Sequence, residues 1–153
     1  KSGFNISDTD LKEGLKKAEW PARMQLIREK KLLIDGAHNP SAAKLLRESL
    51  DLYFPDTKRI WLFGSLSTKD FKSSIKLLFK ESDTVICTQS RSMSAVQANI
   101  LAEEILNSTP CRNITVQPDI KSAFENLLSY SDKADILIVC GSLYLAGEIL
   151  ELL

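Results

Sequence analysis

The stretch KLLIDGAHNP, residues 31–40, decides the fold class of this chain. Its apolar part, LLI at 32–34, has the length and composition of a strand that is buried on both faces. The whole stretch ends in Asn39-Pro40, where Asn predicts a helix N-cap and Pro predicts the first helical position. A buried strand that passes through a short polar loop into a helix is typical of α/β proteins.

The same alternation of short apolar runs and amphipathic stretches continues to the end of the chain. After a helix over 39–53, it predicts strands at 58–63, 84–88, 113–116 and 135–140 and helices at 70–80, 94–107, 119–129 and 143–153, with Ser94 as the cap of the third of these five helices. Repeated strand–helix units require right-handed crossovers, so the strands form a parallel sheet that has helices on both faces.

Upstream of this stretch, the sequence predicts one helix and one further strand. Ser7 and Asp10 have the spacing of a capping box, which predicts a helix over 8–17. A strand at 23–27 is joined to the next strand by the polar turn 28–30, and so short a connection requires an antiparallel pair. The predicted fold is therefore a Rossmann-like three-layer α/β sandwich. Its sheet is mostly parallel, with about six strands and one antiparallel N-terminal strand.

Composition narrows the class of protein. A length of 153 residues predicts a single domain over 1–153. Lys and Arg total 20 and Asp and Glu total 20, and this balance argues against nucleic acid or an anionic membrane as a partner. The cysteines, Cys87, Cys111 and Cys140, have no CxxC spacing. We expect them to be buried hydrophobic residues in a reducing cytoplasm, and neither disulfides nor zinc ligands.

Polar residues follow the predicted strands where a ligand would bind, because open α/β sheets bind ligands beyond the carboxyl ends of their parallel strands. One such loop carries Asp35, His38 and Asn39, and another carries Gly141-Ser142. Each of these residues alone is explained by a turn or a helix cap. Together, an acid, an imidazole and a helix N-terminus favour a site for a polar ligand. The chain contains neither GxGxxG nor GxxxxGK[ST], so it lacks both of these phosphate-binding motifs.

Three blocks of sequence form a pattern that is unlikely to occur by chance in this order: WPARMQ at 20–25, LIDGAHNP at 33–40 and GSLYLAGE at 141–148. With these blocks, the chain resembles the C-terminal domain of folylpolyglutamate synthase/dihydrofolate synthase, of the Mur ligase superfamily. Lys69-Asp70 also matches the family pattern. One departure is Ala22, where the family commonly has Gly.

The resemblance implies an ATP-dependent ligase that joins a folate or pteroate carboxylate to the amine of glutamate through an acyl phosphate. It implies that Arg23 contacts an ATP phosphate and that Asp35 holds the nucleotide at its ribose. It further implies that His38 acts where ATP meets glutamate and that Ser142 binds a carboxylate of glutamate. Arg23 and His38 are thus the expected catalytic residues, and Lys69-Asp70 is a weaker candidate for the same cleft.

The resemblance also implies a partner, because the family carries its phosphate cradle, its Mg²⁺ ligands and most of its folate site on a larger N-terminal ATPase domain. We therefore expect ATP and Mg²⁺ as cofactors, no metal ligands in this chain, and no ligase turnover by this chain alone. Two alternatives stay open at this point. One is a Mur ligase that adds an amino acid to a peptidoglycan precursor, and the other is a non-catalytic Rossmann-like module that binds a nucleotide or a partner.

Overall fold

The computed structural model describes residues 6–18 and 20–153. The order of its elements confirms the predicted alternation. In chain order the elements are α1 (Asp8–Lys17), β1 (Gln25–Ile27), a 3₁₀ turn (Arg28–Lys30), β2 (Leu32–Ile34), α2 (Pro40–Tyr53), β3 (Arg59–Phe63), α3 (Phe71–Leu78), β4 (Thr84–Cys87), α4 (Ala98–Ser108), β5 (Asn113–Val116), α5 (Ile120–Leu128), β6 (Ile136–Cys140) and α6 (Leu143–Leu150).

The six strands form one sheet in the order β1-β2-β6-β3-β4-β5. β1 is antiparallel to β2, with Gln25 opposite Ile34, and the other pairs are parallel. This arrangement confirms the predicted mostly parallel sheet with one antiparallel N-terminal strand. We call the edge where the parallel strands end the carboxyl edge and the opposite one the amino edge. Because β1 is reversed, the residues that precede it lie at the carboxyl edge.

Helices cover both faces of the sheet and enclose two hydrophobic clusters. One cluster contains Trp61 and Phe63 and packs under α2, α3 and α4, whereas the other contains Leu62 and Val139 and packs under α5 and α6. Successive residues of a strand point to opposite faces, so neighbours in β3 enter different clusters. All residues of β3 and β6 are buried, and this double-sided burial accounts for their continuous apolar sequences.

The start of α4 differs from its prediction. The helix begins at Ala98, and Ser94 is not its cap. The backbone beside Ser94 is committed to the loop that follows β3, since the Val96 amide donates to the Ser65 carbonyl at 2.9 Å. Residues that bond across to another loop cannot also form the first turn of a helix.

Three other boundaries differ from their predictions by two residues or more. β1 begins at Gln25, two residues later than expected, because Ala22 and Met24 have φ values of 56° and 43°. These values lie in the left-handed region, which an extended strand does not use. α3 ends at Leu78 and α6 ends at Leu150, which is two and three residues before their predicted ends.

The three cysteines are buried and unpaired, as predicted. Burial raises the pKa of the Cys87 thiol to about 12, so this group stays protonated and behaves as a small hydrophobic side chain. In the part of the chain that the structure describes, no helix combines the length and the apolar character that a membrane span requires.

Candidate functional site

Three of the four predicted site residues line one pocket at the carboxyl edge. Arg23, Asp35 and His38 form its polar side, and its volume is about 280 Å³. The side that belongs to α2 is formed by Ala42, Leu45, Leu46 and Ser49. Arg23 reaches this pocket because it precedes the reversed strand β1, while Asp35 follows β2 directly. We call this cavity the Arg23 pocket.

A second, smaller pocket adjoins the first. Its volume is about 150 Å³, and it is lined by His38, Leu66, Lys69, Ser142, Leu143 and Tyr144. Because His38 belongs to the walls of both cavities, the two lie side by side along the carboxyl edge. The structure therefore brings together Asp35, His38 and Ser142, which follow strand ends, and Arg23, which the resemblance added to them. We call the smaller cavity the Ser142 pocket.

Arg23 is exposed and is held by an unusual backbone. It lies between Ala22 and Met24, both of which have positive φ. Its Nη1 donates to the Ala22 carbonyl at 3.1 Å. A Cβ at Gly36 would lie 2.5 Å from Arg23 Nη1, so the absence of a side chain at Gly36 lets the guanidinium approach this loop. A guanidinium has five N–H donors, and most of them remain for a ligand.

The carboxylate of Asp35 is directed at the backbone. Its Oδ2 accepts a hydrogen bond from the Met24 amide at 2.8 Å, and its Oδ1 accepts one from the Ala37 amide at 2.8 Å. These bonds tie the segment that carries Arg23 to the loop after β2. Asp35 is only 8% exposed, but each carboxylate oxygen can accept a second hydrogen bond, for instance from a hydroxyl group.

His38 has one ring nitrogen engaged by its own loop. Its Nδ1 lies 2.8 Å from the Gly36 carbonyl oxygen. A carbonyl oxygen only accepts hydrogen bonds, so Nδ1 is the donor of this pair, and in the neutral tautomer that this requires Nε2 is an acceptor. A ligand in either pocket would meet this ring.

Ser142 and Asn39 are helix caps. Ser142 Oγ accepts a hydrogen bond from the Tyr144 amide at 3.1 Å, and Asn39 Oδ1 accepts one from the Ala42 amide at 2.9 Å. The prediction that Asn39 caps α2 is therefore confirmed. Ser142 is 1% exposed, and its hydroxyl proton is the part of the side chain that capping leaves free to donate.

The neighbours Lys69 and Asp70 take different positions. Lys69 lines the Ser142 pocket, which keeps it a candidate for that cavity. Asp70 caps α3 by accepting from the Ser73 amide at 3.0 Å. The backbone hydrogen bond from Ser73, followed by that of the Ser73 side chain, lowers the pKa of the Asp70 carboxyl. Asp70 thus has a local structural role at the start of α3.

The sequence did not predict the apolar residues that line the two pockets. Leu45 was not among the predicted site residues, but it is 63% exposed at the Arg23 pocket, whereas Leu46 and Leu50 are buried. Tyr144 is 60% exposed and lines the Ser142 pocket. A signal existed, because Leu45 and Leu52 are seven residues apart and mark a second stripe on α2.

The chemistry of the two pockets suits anions. They bring the guanidinium of Arg23 and the ammonium of Lys69 to the edge where α2 and α6 begin. Helix N-termini and cationic side chains favour phosphate and carboxylate groups. Within residues 6–18 and 20–153, no group of three or more His, Cys, Asp and Glu side chains is arranged to hold a metal ion.

Comparisons with known proteins show the family to which the chain belongs. Residues 22–152 match the family model for the dihydrofolate synthetase C-terminal domain. The chain is 29% identical to a probable dihydrofolate synthetase of Schizosaccharomyces pombe, over 96% of this chain and 37% of that protein. It is 27% identical to a dihydrofolate synthase/folylpolyglutamate synthase of Bacillus subtilis, over 95% of this chain and 33% of that protein.

A solved structure supports the same relationship. The bifunctional folylpolyglutamate synthase/dihydrofolate synthase of Yersinia pestis, complexed with AMPPNP and Mn ion, matches with a TM-score of 0.85 and 28% identity. The match covers 99% of this chain and 35% of that one. The chain therefore spans about a third of the length of these relatives, and it belongs to the family of dihydrofolate synthetase C-terminal domains.

Proposed function

We propose that this chain supplies the C-terminal half of the active site of a folylpolyglutamate synthase/dihydrofolate synthase. In this proposal the whole protein joins a folate or pteroate carboxylate to the amine of glutamate at the expense of ATP. The observation that carries the proposal is the pair of adjoining pockets that share His38. The match to the dihydrofolate synthetase family favours the folate branch over a peptidoglycan ligase and over a non-catalytic module.

The Arg23 pocket is the nucleotide side of this proposal. Transfer of the γ-phosphoryl group of ATP spreads negative charge over the phosphate oxygens, and the planar, permanently charged guanidinium of Arg23 offsets it. Asp35 has acceptor capacity left for the ribose hydroxyls. The AMPPNP and Mn ion complexed with the Yersinia protein support ATP with Mg²⁺ here. The Mg²⁺ ligands belong to the N-terminal ATPase domain in this proposal.

The Ser142 pocket is the glutamate side. Its volume of about 150 Å³ suits an amino acid better than a folate. The Lys69 ammonium, the Ser142 hydroxyl and the start of α6 are groups that bind carboxylates. The glutamate amine, which lies beside His38, attacks the carbonyl carbon of the acyl phosphate, so that the amide bond forms and phosphate leaves. His38 Nε2 can accept a hydrogen bond from this amine and orient it.

The ATPase domain is the partner that completes the site. Because the relatives are almost three times as long as the part that matches, we assign the phosphate cradle and most of the folate site to an N-terminal domain of the same polypeptide. Residues 1–153 would then form its C-terminal domain, without turnover of their own. We place the protein in the cytoplasm, which suits three unpaired cysteines, and propose neither nucleic acid nor a membrane as a partner.

The decisive experiment measures ATP-dependent addition of glutamate by the intact gene product, with dihydropteroate and with tetrahydrofolate in separate assays. Arg23→Ala should lower kcat/KM at least 100-fold, because the charge that develops during phosphoryl transfer loses its guanidinium. Arg28→Ala, at an exposed arginine in the 3₁₀ turn, is the matched control and should leave kcat/KM unchanged.

A second variant separates the two pockets. Ser142→Ala should raise KM for glutamate and leave KM for ATP near its original value. The assignment of Arg23 fails if Arg23→Ala behaves like Arg28→Ala. The need for an ATPase domain fails if the 153-residue chain alone turns over ATP and glutamate.

A further inference from the structure

Glu148, in α6, ties this helix to the loop that follows β4, residues 88–97, which we call the β4 loop. Its Oε1 accepts a hydrogen bond from the Arg91 amide at 2.8 Å. The Arg91 guanidinium adds little, because its Nε lies 3.7 Å from Glu148 Oε2 and the arginine side chain is 79% exposed. The side chain of Glu148 is only 15% exposed. The bond to the Arg91 backbone is therefore the contact by which Glu148 holds the β4 loop.

The β4 loop in turn holds the loop that follows β3, residues 64–70, which we call the β3 loop. The amide and the hydroxyl of Ser67 both donate to the Ser94 carbonyl, at 2.8 and 3.1 Å. Leu66 and Ala95 pair beside this contact as an isolated antiparallel bridge. The two loops are thus joined through their backbones.

The β3 loop and the start of α6 form facing walls of the Ser142 pocket. The residues of these walls are Leu66 and Lys69 from the β3 loop and Ser142, Leu143 and Tyr144 from the start of α6. α6 therefore contributes one wall directly and holds the other wall through Glu148 and the β4 loop. The contacts form a closed ring, so a break at Glu148 frees the β3 loop to move relative to α6.

We propose that Glu148 is a positioning residue that sets the width of the Ser142 pocket through the β4 and β3 loops. The inference rests on the proposed function for the ligand of this pocket, which is glutamate, and it adds a residue that lines neither pocket. Lys69 lies on the wall that Glu148 holds, whereas Ser142 lies on the other wall. A glutamate that contacts both groups at once binds more weakly when their separation is no longer fixed.

Two substitutions of similar length separate the hydrogen bond of Glu148 from its charge. Glu148→Met and Glu148→Gln both remove the negative charge and both suit a helix, but only Gln keeps an oxygen that accepts from the Arg91 amide. In the intact gene product, Glu148→Met should raise KM for glutamate about tenfold, while kcat and KM for ATP stay within threefold. Glu148→Gln should keep KM for glutamate within threefold. Arg91→Ala, which removes the guanidinium and leaves the amide, is the matched control and should change neither KM.

Hydrogen exchange of the same intact proteins, without ATP or glutamate, tests the contacts apart from the reaction. Peptides that cover the β3 and β4 loops should exchange at least fivefold faster in Glu148→Met than in the wild type, because the loops open more often. The same peptides should exchange near the wild-type rate in Glu148→Gln and in Arg91→Ala.

Each contrary outcome has a distinct meaning. An unchanged KM for glutamate in Glu148→Met would overturn the positioning role, and so would an equal rise of KM for ATP, which would indicate a general loss of structure. A Glu148→Met protein that does not fold would make Glu148 a residue of stability and overturn the proposal as well. Equal effects of Met and Gln would assign the role to the charge and do the same. An intact product without ligase activity would sink the proposed function, whereas the exchange rates would still decide whether Glu148 holds the two loops.

Discussion

The two edges of the sheet hold their charged groups in opposite ways. Towards the amino edge, Asp83 is 1% exposed and accepts hydrogen bonds from Arg47 Nη1 at 2.7 Å, from Trp61 Nε1 at 3.0 Å and from the Lys80 amide at 2.7 Å. At the carboxyl edge, Arg23 is exposed and bonds to the carbonyl of its own neighbour. Buried charges that are satisfied by one another stabilise a unique structure, whereas charges that face a cavity are left for a ligand.

Arg59, at the start of β3, extends the same contrast. It is 4% exposed and donates to Asp51 Oδ1 at 2.6 Å and to the Leu50 and Phe54 carbonyls at 3.0 and 2.8 Å. The hydrogen-bond donors of the Arg59 guanidinium are thus engaged by groups at the end of α2. The comparison teaches that residue type alone does not mark a site, because equally charged arginines serve structure at one edge and face a pocket at the other.

The largest expected effect is at the amino edge. Asp83→Ala should lower the free energy of unfolding by about 3–5 kcal/mol, because the buried Arg47 guanidinium loses its buried carboxylate partner and the Trp61 N–H loses its acceptor. Urea unfolding of the 153-residue chain measures this change. Asp132→Ala, at an exposed turn, is the control and should change stability by less than ~0.5 kcal/mol. Similar midpoints for the two variants would contradict the structural role of the ionic cluster.

Gly141, the residue between β6 and α6, gives the next largest effect. It has a φ of 107°, and a Cβ there would lie 2.5 Å from the Gly64 carbonyl oxygen and 2.6 Å from the Phe63 ring. Gly141→Ala should therefore cost about 2–4 kcal/mol. Gly147→Ala, inside α6 with nothing within 4 Å, should instead stabilise the protein by about 0.5–1 kcal/mol. Thermal unfolding of both variants is the measurement, and a stabilised Gly141→Ala would refute this geometry.

At the carboxyl edge, variants of Asp35 and Arg23 test whether the charged residues that face the pocket also stabilise the fold. Asp35→Ala should cost about 1–2 kcal/mol, because the Met24 and Ala37 amides lose their acceptor. Arg23→Ala should change the free energy of unfolding by less than ~0.5 kcal/mol, since the side chain is exposed. Denaturant titrations of both variants would show whether Asp35 is structural as well as a candidate ligand. A larger loss in the free energy of unfolding for Arg23→Ala would mean that Arg23 also stabilises the fold, and this would contradict the difference between the two edges.

Acid should weaken the ion pairs that Asp51 makes at the amino edge. Burial opposes ionisation of Asp51, but hydrogen bonds from Lys80 and Arg59 and the charges of Arg47 and Arg59 outweigh it and lower its pKa from 3.8 to about 2. The ionised Asp51 therefore stabilises the fold fully above pH ~4, and this stabilisation is lost as the pH falls towards 2. It amounts to about 1 kcal/mol after allowance for solvent screening.

The matching measurement compares the free energy of unfolding at several pH values from 5 to 2 for the wild type and Asp51→Asn. The variant should be less stable at pH 5 and should lose less stability over this interval. Parallel curves would mean that Asp51 does not contribute to the acid sensitivity.

The smallest expected effect concerns the backbone beside Arg23. Ala22 has a φ of 56°, a conformation that Gly adopts without strain. Ala22→Gly should stabilise the protein by less than ~1 kcal/mol, since relief of strain exceeds the loss of a buried methyl group. Ala134→Gly is the control, because Ala134 is 4% exposed and does not have a positive φ, so it should destabilise. Differential scanning calorimetry resolves the sign, and a destabilised Ala22→Gly would remove the argument from strain.

The sequence predicted the order of elements from apolar periodicity, the reversed first strand from the short turn at 28–30, and the edge that holds the site from the strand ends. It could not predict that Ser94 pairs with another loop, since this depends on contacts between distant segments. Nor could it predict that Arg47 is buried, because a charged residue on a helix is normally solvated. The left-handed residue Met24 escaped prediction for a related reason. Its conformation is held by the hydrogen bond to Asp35, which lies eleven residues away.

The reversed direction of β1 has a consequence for motion. It delivers the incoming chain to the same edge as the pockets, so Trp20 is only three residues from Arg23. In the proposed full-length protein, an ATPase domain that is attached through Trp20 would be tethered three residues from Arg23, and its effective concentration at the two pockets would be high. Rotation about the few backbone bonds between Trp20 and Arg23 would then be enough to open and close the site.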